Sequence, residues 1–414
     1  MTAERPVTAP RTLVILLGFY LMLQPLATDF YLASLPGLTR TFATSAATVQ
    51  MTLTVFALSF GVMQLVAGPV SDRYGRVPVL IGGLALYAGA CIACALAPTI
   101  ELLIAARFVQ AVGCCAAVVV TRAIVRDEFD PHAGARAMAR ASTILAFGAL
   151  LGPVLGSLIE VRYGHRAIFG VVAAITLALL AVTRATLAET NQHPDPHATR
   201  PRALAVNYAT VARSSAFRAY TLAGAASYGG LFAFISGSPF VLIEVLGVPT
   251  AWFGLCFAFC VTGYMTGTLV CRRLLARHSV ARTMQAGAGL ALGAGIAMTA
   301  LAVAGVHHWA ALLLPQFVYL AGHGINLPCA IVGSVAPFER RAGAAAGLFG
   351  FLQMVAAVLI GTWIGASWNG TVFPLVLTVA ACAGVVFLTV YGWIARLPAV
   401  PALASARAEA QNQL

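Results

Sequence analysis

Apolar residues fill this chain in long blocks separated by short polar breaks. A membrane crossing needs about 20 mainly apolar residues. Twelve blocks meet that requirement, near 12–35, 46–69, 78–97, 100–126, 137–159, 166–187, 217–243, 250–275, 283–305, 309–335, 343–366 and 371–395. The pattern predicts an all-α polytopic membrane protein with twelve transmembrane helices. The first block follows a basic start, as a secretory signal does, but it is too long and has no small-residue cleavage site, so it reads as a retained crossing.

The clearest polar break runs from Glu189 to Arg213 and contains Asn191, Gln192, His193, Pro194, Asp195, Pro196 and His197. It is too polar and proline-rich to cross, and reads as a linker. The expected division is an N-terminal six-helix half (1–188), a cytoplasmic linker (189–215), a C-terminal six-helix half (216–396) and a cytoplasmic tail (397–414). The halves echo each other faintly. Gly263 to Arg277 closes the eighth block in glycines and arginines, as the second block closes before Arg73, though without its acid. Two pseudo-symmetric bundles of three-helix repeats are the organisation of a secondary transporter, with its site between the halves near the midplane.

Composition narrows the class. Hydrophobic residues make up 60% of the 414 and charged ones 9%, against roughly a quarter charged in soluble domains. The net charge of +12 invites a nucleic-acid reading, but basic residues on a membrane protein are topology determinants and contacts to anionic lipid. All the basic side chains other than histidine are arginines. Arg5, Arg11, Arg73, Arg76, Arg122, Arg126, Arg136 and Arg140 fall on one side with Arg200, Arg202, Arg213, Arg272, Arg273, Arg277, Arg282, Arg340, Arg341 and Arg396. Only Arg40, Arg162 and Arg166 fall in loops of the other side. By the positive-inside rule both termini and the linker are cytoplasmic. The nine cysteines lie within or at the ends of apolar blocks. Cys91 and Cys94 share a helix face, but no second pair or histidine cluster completes a metal site, so these residues and Cys114 with Cys115 read as small fillers of helix contacts. His193 and His197 read as solvated linker residues. No metal and no cofactor is expected.

The candidate chemistry is sparse. Asp29 is the one acid well inside the apolar blocks of the first half, and an ionisable group in hydrocarbon is a functional hypothesis by default. Counting about 1.5 Å per residue places it roughly 10 Å below the outer end of its block. Arg107 lies at a similar depth, so the two could meet. Burial and an arginine act on a carboxyl in opposite senses, so such a pair can be tuned toward physiological pH. Asp29 is then the proton acceptor, and Arg107 with Gln110 senses its charge. Between the second and third blocks, Gly68, Asp72, Arg73, Gly75 and Arg76 crowd a very short turn and suggest an electrostatic lock. Gly148, Gly152 and Gly156 recur every fourth residue, and Pro153 permits a kink, which suits a bending contact between the halves. Ser236-Gly237-Ser238-Pro239 and Gly322-His323-Gly324-Ile325-Asn326-x-Pro328 are expected to break the seventh and tenth helices, as happens where helices line a cavity. Tyr20, Tyr31, Tyr228, Phe232 and Phe234, with Ser236, His323 and Asn326, are the expected lining of an amphipathic substrate pocket.

These motifs resemble a known family. Gly68-x-x-x-Asp72-Arg73-x-Gly75-Arg76 resembles the signature turn of the major facilitator superfamily, and Arg107-x-x-Gln110-x-x-Gly113 resembles its fourth-helix pattern. Gly148-x-x-x-Gly152-Pro153-x-x-Gly156 is similar to the fifth-helix pattern of its drug/proton antiporters. Asp29-x-Tyr31-Leu32-x-x-Leu35-Pro36, the run Phe232 to Phe240 and Gly350-Phe351-Leu352-Gln353 resemble the Bcr/CflA drug-resistance group. Ala33, Val77 and Ser157 depart from its usual residues. The resemblance covers about 12 to 396 and implies a proton-driven multidrug efflux transporter of a bacterial inner membrane. It would export small amphipathic compounds, bicyclomycin-, phenicol- or sulfonamide-like, by alternating access. Its implied partners are a small-molecule drug or metabolite, protons and membrane lipid, without nucleic acid, and it would act as a monomer. The resemblance also implies that Asp72 holds the cytoplasmic ends of the halves together when the outer side is open, through a helix N-terminus or an arginine such as Arg126. Two other readings stay open. An exporter of a metabolite such as an amino acid or small peptide would show the same motifs. A polytopic membrane enzyme would need clustered catalytic side chains at one face, whereas the dense polar segment Arg126 to His132 reads as a connection between helices. No phosphate-binding glycine loop is present to couple ATP.

Overall fold

The computed structural model describes residues 10–192, 194–338 and 341–398. Arg5, His193, Arg340 and the tail beyond residue 398 lie outside them. Among the described residues there are thirteen α-helices and no strand. They are α1 (Pro10–Thr28), α2 (Leu35–Thr41), α3 (Ala46–Tyr74), α4 (Arg76–Leu96), α5 (Ile100–Glu128), α6 (Pro131–Thr186) and α7 (Pro201–Ala212). After them come α8 (Ser215–Pro239), α9 (Thr250–Leu275), α10 (Val280–Val303), α11 (Trp309–Val335), α12 (Ala342–Ser367) and α13 (Phe373–Gly392). Eleven helical units are long and apolar enough to cross a membrane. One of them is double. The 56 residues of α6 would span about 84 Å if straight, more than twice the roughly 30 Å of hydrocarbon. Its chain turns at Gly164, where φ is 75° and ψ is 174°, a conformation that suits glycine. The protein is therefore multi-pass, with twelve crossings among the described residues.

Hydroxyl side chains start several helices by accepting from amides one turn in: Ser45 from Thr48, Thr99 from Leu102, Ser214 from Phe217 and Ser279 from Arg282. Each such cap stabilises by about 1 kcal/mol. Three elements differ from the sequence expectation. The turn at Gly68 to Arg76 is almost wholly helical, since α3 runs to Tyr74 and only Gly75, at φ 96°, separates it from α4. The linker carries a helix, α7, whose Tyr208 hydroxyl donates to the Leu65 carbonyl of α3 at 2.8 Å. Third, the expected breaks are absent. Helix α8 continues through Pro239 into a π-helical stretch, Phe240–Val245, and α11 runs unbroken across Gly322 to Pro328. In hydrocarbon a continuous ladder keeps backbone groups satisfied, and the glycines serve contact instead. A Cβ on Gly322 would meet the Gly287 carbonyl, and one on Gly324 would meet the Tyr264 carbonyl.

Two seams join the first six crossings to the last six, α3 on α12 and α6 on α9. One apolar core runs through the first six crossings and the far ends of the last six, and a second gathers near the linker around Phe217, Tyr220, Met284 and Phe349. At the end away from the linker the seams are shut. Ser236 donates to Gln50 at 3.2 Å, Gly254 presses on the Pro153 carbonyl, and Gly365 sits against Ala47 and Gln50. At the linker end they part around a cavity of about 1570 Å³.

Candidate functional site

Asp29 marks the place where the first crossing changes winding. The chain is α-helical to Thr28, 3₁₀ over Asp29–Ser34 and α-helical again to Thr41. Six residues rising about 2.0 Å and seven rising about 1.5 Å put Asp29 roughly 20 Å from that end, deeper than the sequence suggested and near the middle of the crossing. The side chain is buried at 9% exposure. Its Oδ1 accepts from the Thr28 hydroxyl at 2.7 Å. Gly152 of α6 faces it, since a Cβ there would stand 3.8 Å from Asp29 Cβ.

Arg107 does not pair with Asp29. Fully buried, it donates through Nη1 to the Ala27 carbonyl at 2.8 Å and to Gln110 Oε1 at 2.5 Å, and through Nε to the Thr52 carbonyl at 3.4 Å. Its guanidinium carbon lies 4.4 Å from the Phe56 ring centre and 5.1 Å from that of Tyr31. Nη2 has no partner. The reason for the missed ion pair is local: helical winding changes at Asp29, whose side chain faces α6 while Arg107 takes the carbonyl two residues earlier. Gln110 in turn donates to Cys91 Sγ at 3.0 Å. Arginine and acid are thus linked through the backbone of the first crossing.

The glycines of α6 also meet a different partner from the one expected. A Cβ on Gly148 would strike Met22, one on Gly152 would crowd Phe30, and one on Gly156 would strike the Phe30 carbonyl. This face packs on the first crossing. It is the backbone at Pro153 that touches the other half, through Gly254 of α9. The same four-residue spacing reaches Glu160, whose Oε2 accepts from the Ser34 hydroxyl at 2.5 Å. Sequence reasoning passed over this second acid, although the glycine periodicity points to it.

At the linker end, Asp72 Oδ1 lies 2.6 Å from Arg76 Nη1 and 3.6 Å from Arg126 Nη2. Arg76 Nε also lies 2.7 Å from Asp127 Oδ2. Glu189 caps α4, accepting from the amides of Arg76 at 2.8 Å and Val77 at 3.1 Å. Gly75 leaves room for that carboxylate, because a Cβ there would sit 2.6 Å from Glu189 Oε2. Arg73 donates to Thr199 of the linker at 2.7 Å. All these partners belong to the first six crossings or the linker. Gly68, Asp72 and Arg76 line one wall of the cavity, and Gly343, Ala344 and Gly347 of α12 line another.

The expected pocket residues lie elsewhere. Tyr20 is bonded to Thr183 and Tyr31 to Thr52, each at 2.7 Å and fully buried. Phe234 stacks on Phe257. His323 Nδ1 is 2.8 Å from the Ser227 hydroxyl and its ring lies beside Tyr228 and Tyr264. Phe232 neighbours Tyr228, and Asn326 is buried with both amide atoms lacking a hydrogen-bond partner among the described residues. None of the eight lines the linker-side cavity. Among the described residues no group of His, Cys, Asp or Glu is arranged to hold a metal.

Comparison with known proteins agrees with this architecture. The model of the family described as Major Facilitator Superfamily matches residues 17–362. The Chloramphenicol resistance protein of Pseudomonas aeruginosa is 28% identical over 88% of this chain and 87% of its own. The Bicyclomycin resistance protein homolog of Haemophilus influenzae is 24% identical over 91% and 95%, and the Multidrug resistance protein MdtL of Escherichia coli is 29% identical over 83% and 88%. Among solved structures, a D-xylose-proton symporter superposes with a TM-score of 0.71 at 16% identity, covering 94% of this chain and 98% of the other.

Proposed function

The chain belongs to the Major Facilitator Superfamily and is a transporter of small molecules, not an enzyme; from that premise we propose that it is a drug/proton antiporter of the Bcr/CflA type. It exports small amphipathic compounds from the cytoplasm across a bacterial inner membrane. The names of its relatives, resistance proteins for bicyclomycin, chloramphenicol and multiple drugs, support the cargo class. The observation that carries the coupling is Asp29, a buried carboxylate at mid-depth with a single hydroxyl neighbour as its bond. A lone carboxylate at that depth is costly as an anion, so proton and substrate can each alter its balance.

The halves on either side of the linker act as the moving bodies, with both termini and the linker in the cytoplasm. The cavity at the linker end is then the inward-open state. Substrate enters there while Asp29 gives up its proton, and the loaded protein closes its cytoplasmic side. On the far side a proton from the periplasm reaches Asp29 and substrate leaves. The winding change at Asp29 lets its charge act on Arg107 through the Ala27 carbonyl. By linkage, whatever weakens substrate when the proton binds weakens the proton when substrate binds.

Purified protein in proteoliposomes, loaded with a pH dye, tests this reading. Phenicol, bicyclomycin or sulfonamide compounds should release protons on addition and move against a proton gradient. Release by amino acids or dipeptides, and by none of these drugs, would replace the drug reading with metabolite export.

A further inference from the structure

The linker-side cavity carries a charge pattern that proton coupling leaves unused. Four arginines, Arg76, Arg122, Arg126 and Arg341, line it against two aspartates, Asp72 and Asp195. Arg76 is committed to Asp72 and Asp127. Arg126 touches the same two acids only at 3.6 Å. Arg122 stands one turn before Arg126 on the same face of α5 and has no hydrogen bond or ion pair to any described residue. Across the cavity the 26-residue helix α12 begins at Ala342, just after Arg341, with no described side chain capping its amides. Its first turns, through Gly343, Ala344 and Gly347, face the cavity. The first-turn amides and dipole of a long helix favour an anion at that end. Between these positive walls lie Val119, Leu204 and Phe338, which suit an apolar body.

We infer that, beside those drugs, the cavity takes amphipathic organic acids as cargo through an oxyanion group, a carboxylate, sulfonate or phosphate, held between Arg122 and the first turn of α12. This rests on the exporter reading for the word cargo, but the anion site itself does not. A guanidinium pairs with such a group by parallel hydrogen bonds, and strongly cationic compounds meet like charge at the mouth. Anionic lipid headgroups share this chemistry and are the competing source of the anion.

The test is calorimetric titration of the full chain in nanodiscs with phenylbutyrate and with its methyl ester, in zwitterionic lipid and again with phosphatidylglycerol added. In zwitterionic lipid the acid should bind about tenfold tighter than the ester, the scale of a hydrogen bond to a charged group. Arg122→Gln should erase that ratio, and Arg122→Lys should restore part of it, which separates lost charge from lost folding. An ester bound as tightly as the acid would overturn the proposal. So would a preference that Arg122→Gln leaves intact, or one that phosphatidylglycerol abolishes, since the arginines would then serve lipid. If phenylbutyrate releases no protons while the Arg122-dependent ratio persists, the acid is not cargo and the anion site stands, whereas the exporter reading falls only if the drugs also release none.

Discussion

Asp29 and Arg107 are both buried in the first half and yet keep apart, and that separation assigns them different work. Among the described residues the carboxylate has one hydrogen bond, from its neighbour Thr28, and no counter-ion, so its charge is free to change with access. The guanidinium is held by two carbonyls and a glutamine and is fixed in place. Asp29→Asn should therefore bind substrate and release no protons when substrate is added to proteoliposomes, and proton-driven efflux in that variant would remove Asp29 from the mechanism. Arg107→Lys keeps the charge but replaces a planar fork by a point donor. It should lower the thermal unfolding midpoint of the detergent-solubilised protein by the equivalent of about 1.5–3 kcal/mol, the range for bonds to charged groups. An unchanged midpoint would show that the carbonyl bonds hold nothing.

Helix α6 shows how glycine spacing becomes architecture. Gly156 lies against the Phe30 carbonyl, a rigid wall, whereas Gly148 lies against the flexible Met22 side chain. Overpacking costs about 1–3 kcal/mol where neighbours cannot yield. Gly156→Ala should thus lower the unfolding midpoint and the folded yield well below those of Gly148→Ala, as read by fluorescence-detected size exclusion on heating; equal losses would contradict the contact. What could be read from the sequence follows the same division. The number and order of apolar blocks were legible because length and hydropathy alone set a crossing, even in α6, where Gly164 hides two crossings in one run. Helix continuity at Pro239 and Pro328 was not legible. Glycine and proline mark a break or a close contact equally well, and only the neighbours, Gly287 for Gly322 and Tyr264 for Gly324, tell which. The depth of Asp29 was legible to within a few turns, but its partner was not, because a 3₁₀ segment changes which way a side chain points and leaves no mark in composition. Arg122 looked like one more topology arginine. Its isolation appears only when Asp72 and Asp127 are seen to be taken by Arg76.

At the scale of the whole molecule the linker end is open and the far end shut, and the charges at the mouth indicate how that balance is set. Asp72 lies on one wall and the start of α12, which no described side chain caps, on another, while every described partner of Asp72 belongs to its own half or the linker. On the alternating-access proposal, closing the mouth should bring the aspartate toward the positive end of that helix, and the closed state would then gain a contact that the open state lacks. A charge at a helix end contributes about 0.3–2 kcal/mol, which is a shift of up to roughly thirtyfold between the two states. Asp72→Asn removes the charge and keeps the shape. It should leave substrate affinity measured from the linker side unchanged, slow turnover several-fold, and raise the labelling rate of a cysteine placed at Gly347 by a membrane-impermeant maleimide. Slower turnover with weakened affinity would instead place Asp72 at the substrate, and unchanged labelling would mean that the balance between open and closed is set at the far end, where Gln50 meets Ser236.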